Sequence, residues 1–457
     1  MIIDYNIQPG DLQGKLERFW ELSGQKILKI ESEYNHEMGA PVFTVNGKYS
    51  SRGWTEWTQG FEYGSAILQF DATGDETFLK RGRENTVSKM AHHLSHVGVH
   101  DHGFNNISTY GNLHRLMKEG RITFNEWEKN FYEVALKASG AVQASRWSKI
   151  PGGGFIYSFN GPHSLFVDTI RSCRVLMIAH QLGHFLPGEN DQPISLFTRS
   201  VEHLLATAKY SVYYAEGRDI YDEWGRSAHE SVFNPNDGNY RCPNSQQGYT
   251  GFSTWTRGLA WAMVGFAEEL EFLKAFPGNV ADKNGEETIN KLVKGAIATC
   301  DFYIDHTPLD GIPYWDTGAP GLVKMEDYLL KPADPFNDFE PVDSSAAAIG
   351  AQGLLRFGHY LGSIGRSEEG KHYWQAGLTV VSRLLETPYL SVDPQHQGIL
   401  LHSVYHRPNG WDHIPEGFKI PCNESSMWGD YHMRESALYL SRIISGDRYY
   451  TFFNGII

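Results

Sequence analysis

Apolar residues recur at three- and four-residue intervals along most of the chain, the period of one helix face. Leu12, Leu16, Phe19, Trp20, Leu22 and Ile27 fall near one side of residues 11–31, which read as an amphipathic helix. The clearest stripe is Trp255, Leu259, Met263, Phe266, Leu270 and Leu273, and it stops at Phe276-Pro277-Gly278, a helix terminator. The same period predicts helices over 57–72, 77–98, 107–118, 124–142, 163–185, 192–212, 255–276, 284–305, 343–361, 367–386 and 426–445. Asp343 stands where it would cap the helix that follows it. Between helices lie breaker-rich segments such as Pro151-Gly152-Gly153-Gly154, Asn234-Pro235-Asn236-Asp237-Gly238 and Pro408-Asn409-Gly410. Strand alternation is scarce, with short hairpin pieces expected at 154–157 and 399–406. No linker or shift in composition divides the chain. So many helices in one undivided chain predict an all-α fold, a closed α/α toroid rather than two bundles, with residues 1–457 as one domain.

Composition narrows the function. The 457 residues carry 40 Lys and Arg against 54 Asp and Glu, a formal charge of −14. That balance argues against nucleic acid, which needs a basic face. It does not forbid an anionic small substrate, because local cations override the global field. No apolar run approaches the ~20 residues a membrane helix needs. Cys173, Cys242, Cys300 and Cys422 are far apart with no CxxC pair, so they read as free thiols rather than as a disulfide framework or a structural zinc cluster. The N-terminus lacks a charged and apolar leader, which reads as cytoplasmic, or as periplasmic had a signal been removed. The distinctive numbers are Trp 12, Tyr 24, Phe 25 and His 20, which suit a surface built to stack on its ligand.

Candidate chemistry follows. Gly152-Gly153-Gly154 is no phosphate loop, since no GK[ST] follows it. His92, His96 and His100 are spaced to share one helix face, but the zincin Glu is missing, so a metal is not expected. Asp101 lies between His100 and His102 and before Gly103-Phe104, a cation-rich and partly apolar setting that tunes a carboxyl group. Asp168 sits in an apolar pattern with Arg171 and Ser172 on its face. In the block from Gln246 to Trp261, Trp255 and Trp261 flank Arg257: indole planes stack on sugar rings, and a guanidinium forks onto a carboxylate. Gln247 adds a donor and an acceptor for hydroxyls.

At these residues the sequence resembles the unsaturated glucuronyl hydrolases, glycoside hydrolase family 88. The matching pieces run in order from Trp57-Thr58-Gln59-Gly60-Phe61 through Thr73-Gly74-Asp75, His100-Asp101, Asp168, His229, Gln247-Gly248, Ser253–Gly258, Ala260-Trp261, Pro313–Asp316 and Asp343–Ala346 to Trp428-Gly429-Asp430-Tyr431. The resemblance implies a six-hairpin (α/α)6 barrel. It implies hydrolysis of oligosaccharides that a lyase has left with a Δ4,5-unsaturated uronic acid at the non-reducing end. The chemistry implied is hydration of a vinyl ether, with no cofactor and no metal. Carried over, Asp168 looks like the general acid and base, and Asp101 like a second essential carboxylate that raises the acid's pKa by like charge. Trp57, His100, His229, Gln247, Trp255, Arg257, Trp261 and Ser344 match the substrate pocket.

The chain departs from the family's pattern after Asp168, where Thr169, Arg171, Ser172 and Arg174 follow. Arg171 is therefore expected to meet a sulfate or second carboxylate of the substrate, or to neutralise Asp168. Phe159 stands where the family often has Trp, His102 replaces an apolar residue, and residues 402–413 are expected to cover the open end. Arg257, with Arg171 and His229, is expected to gather positive charge in one pocket. Two readings stay open beside this one: an unsaturated rhamnogalacturonyl hydrolase or saturated β-glucuronidase on the same barrel, and a catalytically inactive sugar-binding barrel. The partner in each case is an anionic oligosaccharide, and the sequence does not set an oligomeric state.

Overall fold

The apolar stripes become the packing faces of the twelve principal helices among the described residues, which alternate between an outer and an inner ring. The computed structural model describes residues 1–53, 55–280 and 283–453. The helices are α1 (Gln13–Glu33), α2 (Gln59–Thr73), α3 (Glu76–Lys89), α4 (His102–Asn106 continued by a wide turn, Ile107–Gly111, into Asn112–Lys118), α5 (Glu126–Ser145), α6 (Thr169–Ser172 and Arg174–Gln181), α7 (Leu196–Tyr210), α8 (Thr256–Ala275), α9 (Lys283–Asp305), α10 (Ser344–Ser363), α11 (Ser367–Leu384) and α12 (Met427–Ile444). The even-numbered helices are buried along most of their length, whereas the odd-numbered ones keep a polar face in solvent. Each even-numbered helix packs on the next, and α12 packs back on α2, which closes the ring. This is an (α/α)6 barrel. Among the described residues, no helix is long and apolar enough to cross a membrane.

Local signals act as read. Asp343 accepts from the amides of Ser345 and Ala346 and caps α10. Gly154 lies in a hairpin of Trp147–Ile150 with Gly153–Ile156. Three expectations give way. Residues 77–98 are not one helix: α3 ends at Lys89, a single turn spans Ala91–Leu94, and an irregular loop of bends and turns follows to Asp101. His92, His96 and His100 therefore share no helix face, and among the described residues no group of His, Cys, Asp and Glu is arranged to hold a metal. Residues 163–185 begin as a strand, Ser164–Phe166, and become helical only after Asp168. Residues 399–406 form no hairpin; their amides and carbonyls are taken up by Asp430, Asp412, Asp343 and Arg257.

Candidate active site

Three loops at one end of the ring bring the candidate residues together. Gly103 opens α4 against the backbone of α6: a Cβ there would sit 2.2 Å from Ser172 O, and the Gly103 amide donates to Ser172 Oγ at 2.8 Å. That approach, possible only without a side chain, sets Asp101 before α4 beside Asp168 before α6. A three-stranded sheet adds His229. Ser164–Phe166 pairs antiparallel with Glu230–Phe233, with Phe166 opposite Glu230, and the Val167 amide donates to His229 O at 2.9 Å. The residue before one strand thus lies next to the residue after the other.

The resulting pocket holds about 620 Å³ of empty space. Trp57, His100, Asp101, Asp168, Gln247, Trp255, Arg257 and Trp261 line it, as the sequence reading expects. Trp57 stacks on Trp428 with ring centroids 5.1 Å apart, and Trp261 packs on Phe104 at 4.9 Å. His229 stands just behind, between Phe166 (4.4 Å) and Trp255 (4.6 Å).

His100 is the electrostatic centre. Its Nε2 lies 3.4 Å from Asp168 Oδ1 and 3.9 Å from Asp101 Oδ1. Burial works against the imidazolium, but Asp101 and Asp168 outweigh it and raise the His100 pKa. Burial, then the charge of Asp168, raises Asp101 above the ordinary carboxyl range, against the pull of His100. Burial also pushes Asp168 up, but His100, His229 and Arg257 overcome it and hold this carboxyl low. The expected upward push on the acid therefore falls, in the resting pocket, on Asp101 instead. The reason is distance: the shared imidazole is nearer Asp168.

His229 is neutral. Burial lowers its pKa to about 4. Its Nδ1 accepts from the amides of Gln246 (3.0 Å) and Gln247 (3.2 Å), so the proton sits on Nε2, which is buried with no hydrogen-bond partner. It holds the Gln247 loop and offers one donor, but adds no positive charge.

Arg257 lies between the indoles of Trp255 (4.8 Å) and Trp428 (4.7 Å). Its Nη2 donates to Tyr405 O and to Gln247 Oε1, each at 2.8 Å, and its Nη1 donates to Val404 O. The fork expected to grasp a carboxylate is thus largely spent on the chain's own carbonyls. What Arg257 does is bind segment 404–406 to Gln247. From the other side Asp412 accepts from the Tyr405 and His406 amides, and Asp343 from the Val404 amide.

Two expected site residues are elsewhere. Arg171 is wholly buried beneath the pocket, where Glu268 (3.0 Å), Glu435 (2.6 Å) and Gln352 (3.2 Å) take its donors. Its guanidinium is shut off from solvent and lies 5.9 Å from the Trp261 ring centroid, and its backbone amide donates to Asp168 O at 3.2 Å. Ser344 is buried one layer behind the wall, its amide on His402 O (3.0 Å) and its hydroxyl 3.3 Å from Ser403 Oγ. His102 is also structural: its ring contacts Ser139 Oγ and His96 O, and burial holds it neutral with a pKa near 4. The positive charge of the pocket therefore comes from His100 and Arg257.

The wall also contains Phe104, Phe159, Gln246, Tyr405, His406, Asn409 and Trp411. Phe159 stacks on His100 at 5.9 Å. Tyr405, His406, Asn409 and Trp411 place part of the 402–413 segment in one wall of the pocket. Its only sequence signal was a run of His and aromatics inside a Pro-Asn-Gly loop.

The (α/α)6 barrel is the fold of solved unsaturated glucuronyl hydrolases, and here one end of it bears two carboxylates around one imidazole inside a cage of indoles. The resemblance read in the sequence holds over nearly the whole chain. An unsaturated glucuronyl hydrolase from Bacillus sp. strain GL1 is 26% identical over 435 residues, covering 93% of this chain and 95% of the relative. An unsaturated chondroitin disaccharide hydrolase from Streptococcus pyogenes serotype M1 is 24% identical over 424 residues, 90% of this chain and 88% of the relative. The crystal structure of the Bacillus sp. GL1 enzyme superposes with a TM-score of 0.67 at 23% identity, covering 93% and 98% of the two chains. No protein-family model matches the chain.

Proposed function

We propose that the protein is a glycoside hydrolase that removes a Δ4,5-unsaturated uronic acid from the non-reducing end of lyase-generated oligosaccharides, with the whole ring acting as one catalytic domain. The observation that carries this reading is the His100–Asp168–Asp101 cluster at the bottom of an aromatic pocket.

In the resting pocket the proton is favoured on His100, between the two carboxylates, while Asp168 is held in its ionised form. Entry of the sugar expels water and brings in a third carboxylate. Both effects raise Asp168, and the His100 proton, 3.4 Å away, passes to it. Asp168 then protonates C4 of the alkene. Water adds at C5, giving up its proton to the same carboxylate. The hemiketal so formed opens and releases the aglycone. One carboxyl group serves as acid and then as base, so the spacing rule for retaining and inverting glycosidases does not apply. Trp57, Trp255 and Trp261 hold the ring faces, Gln247 takes a hydroxyl, and Asp101 anchors another while keeping His100 charged.

The test is incubation with lyase-generated oligosaccharides from several acidic polysaccharides in heavy water. The alkene's ultraviolet absorbance should disappear and deuterium should enter at C4. Persistent absorbance across all substrates, or release of the uronic acid without label at C4, rejects the assignment.

A further inference from the structure

A second cleft, separate from the catalytic pocket, lies between outer helices α1 and α3 and above inner helices α2 and α12. It holds about 810 Å³ of empty space, within the usual range of ligand sites. Arg434 lies at its base and is 1% exposed. Its Nε donates to Ser23 Oγ (2.8 Å) and its Nη1 to Ser65 Oγ (3.2 Å), both neutral hydroxyls, while its Nη2 is buried with no hydrogen-bond partner. The neighbouring acid, Asp430, is turned to the Ile399 and Leu400 amides and the Tyr49 hydroxyl. An unpaired buried guanidinium N–H is costly, and its presence in a cleft points to an acceptor brought from outside.

The other walls supply complementary groups. Glu62 Oε1 bonds His36 Nε2 at 2.6 Å, but its Oε2 is buried without a partner and can accept a hydroxyl proton. Lys89 lies at the rim, with Nζ 5.3 Å from the Tyr63 ring centroid, and takes part in no ion pair among the described residues. The cleft's other rim cation, Arg81, is already paired with Glu31. Ile27 and Ile30 give one apolar side.

The geometry points to a second binding site, for a small hydroxy-carboxylate of sugar-acid size, whose carboxylate meets Arg434 and Lys89 and whose hydroxyl donates to Glu62. The pattern discriminates: a neutral sugar offers Arg434 a hydroxyl acceptor but no countercharge, and a bare halide offers no hydroxyl to Glu62. The inference does not depend on the reaction proposed above, since none of these residues lines the catalytic pocket.

Isothermal titration calorimetry with sodium D-glucuronate tests it, with D-glucose as the uncharged probe. Binding of glucuronate is expected in the millimolar range, weakened about tenfold or more in Lys89→Ala and retained in Trp57→Ala, which alters only the catalytic pocket. A crystal soaked in glucuronate should show the anion against Arg434. Equal binding of D-glucose, no binding of glucuronate, or binding lost in Trp57→Ala yet kept in Lys89→Ala overturns the proposal. Unchanged melting of Lys89→Ala establishes that any loss is not unfolding.

Discussion

Nε2 of His100 stands 3.4 Å from Oδ1 of Asp168 in a pocket from which both side chains are almost excluded from solvent. The imidazole also faces Asp101, so the three groups titrate as a unit and their protons belong to the cluster. In the proposed reaction Asp168 carries the transferred proton. Asp168→Asn is expected to lower kcat by about 10²–10⁴-fold, the usual worth of a general acid or base. Circular dichroism and melting temperature should stay close to wild type, because the amide fits the same space. Full activity in this variant removes Asp168 from the mechanism.

Asp101 contributes through His100. Its charge is one of the two that keep the imidazolium protonated against burial. In Asp101→Asn that charge is gone, His100 loses its proton more readily, and the alkaline limb of the kcat/KM profile moves to lower pH. A profile that only drops, with its alkaline limb in place, shows that Asp101 binds substrate without tuning the cluster.

Arg257 is expected to behave as a clamp. Its fork reaches Val404 O, Tyr405 O and Gln247 Oε1 at once, which one lysine ammonium cannot do. Arg257→Lys should lower kcat/KM by roughly 10–100-fold, about 1.4–2.7 kcal/mol in the barrier. Amide hydrogen exchange over 404–412 should quicken in the same variant. Unchanged exchange with lost activity indicates that Arg257 grips substrate directly.

Arg171 is part of a buried ion cluster with Glu268 and Glu435. Arg171→Met strands those carboxylates, and breaking such a pair costs on the order of 3–5 kcal/mol. The expected outcome is a lower melting temperature with the ratio of kcat/KM on sulfated and unsulfated substrates unaltered. A changed ratio at unchanged stability places Arg171 at the substrate after all.

The fold is expected to be acid-sensitive for a related reason. Burial holds His93, His203, His402 and His432 near pKa 3, and His102, His229 and His406 near 4. Each folded pKa lies below the unfolded value of about 6.5, so the unfolded chain binds more protons in between. Their contribution is complete above about 6.5 and is lost as pH falls toward 4, by up to ~1.4 kcal/mol per pH unit for each histidine. Chemical denaturation from pH 7 to 5 should show a steep fall in stability. A flat profile requires that several of these rings be charged in the folded state.

Much of this was legible in the sequence because helix periodicity is a local property. The stripe from Trp255 to Leu273 and the Asp343 cap mark their elements without tertiary information. The cluster residues were legible through their motif, and Gly103 shows why that motif has its form. What stayed hidden depended on contacts distant in sequence. A helical spacing of His92, His96 and His100 is broken because the chain must leave α3 early to bring His100 over Asp168. Arg171 looks like a pocket cation from its i+3 spacing to Asp168, yet its partners lie on α8, α10 and α12. Arg257 similarly resembles a ligand clamp until the 404–406 backbone arrives to occupy it.

The stacking of Trp57 on Trp428 joins the first inner helix's entry loop to the last inner helix. The pocket is therefore assembled at the seam where the ring meets itself, with Arg257 tying in a loop that precedes α12. During synthesis, every earlier helical pair can pack on its predecessor while the site remains unbuilt. Catalytic competence should arrive in one step, when the final inner helix docks, and a ribosome-bound chain stalled before residue 427 should be largely folded yet inert.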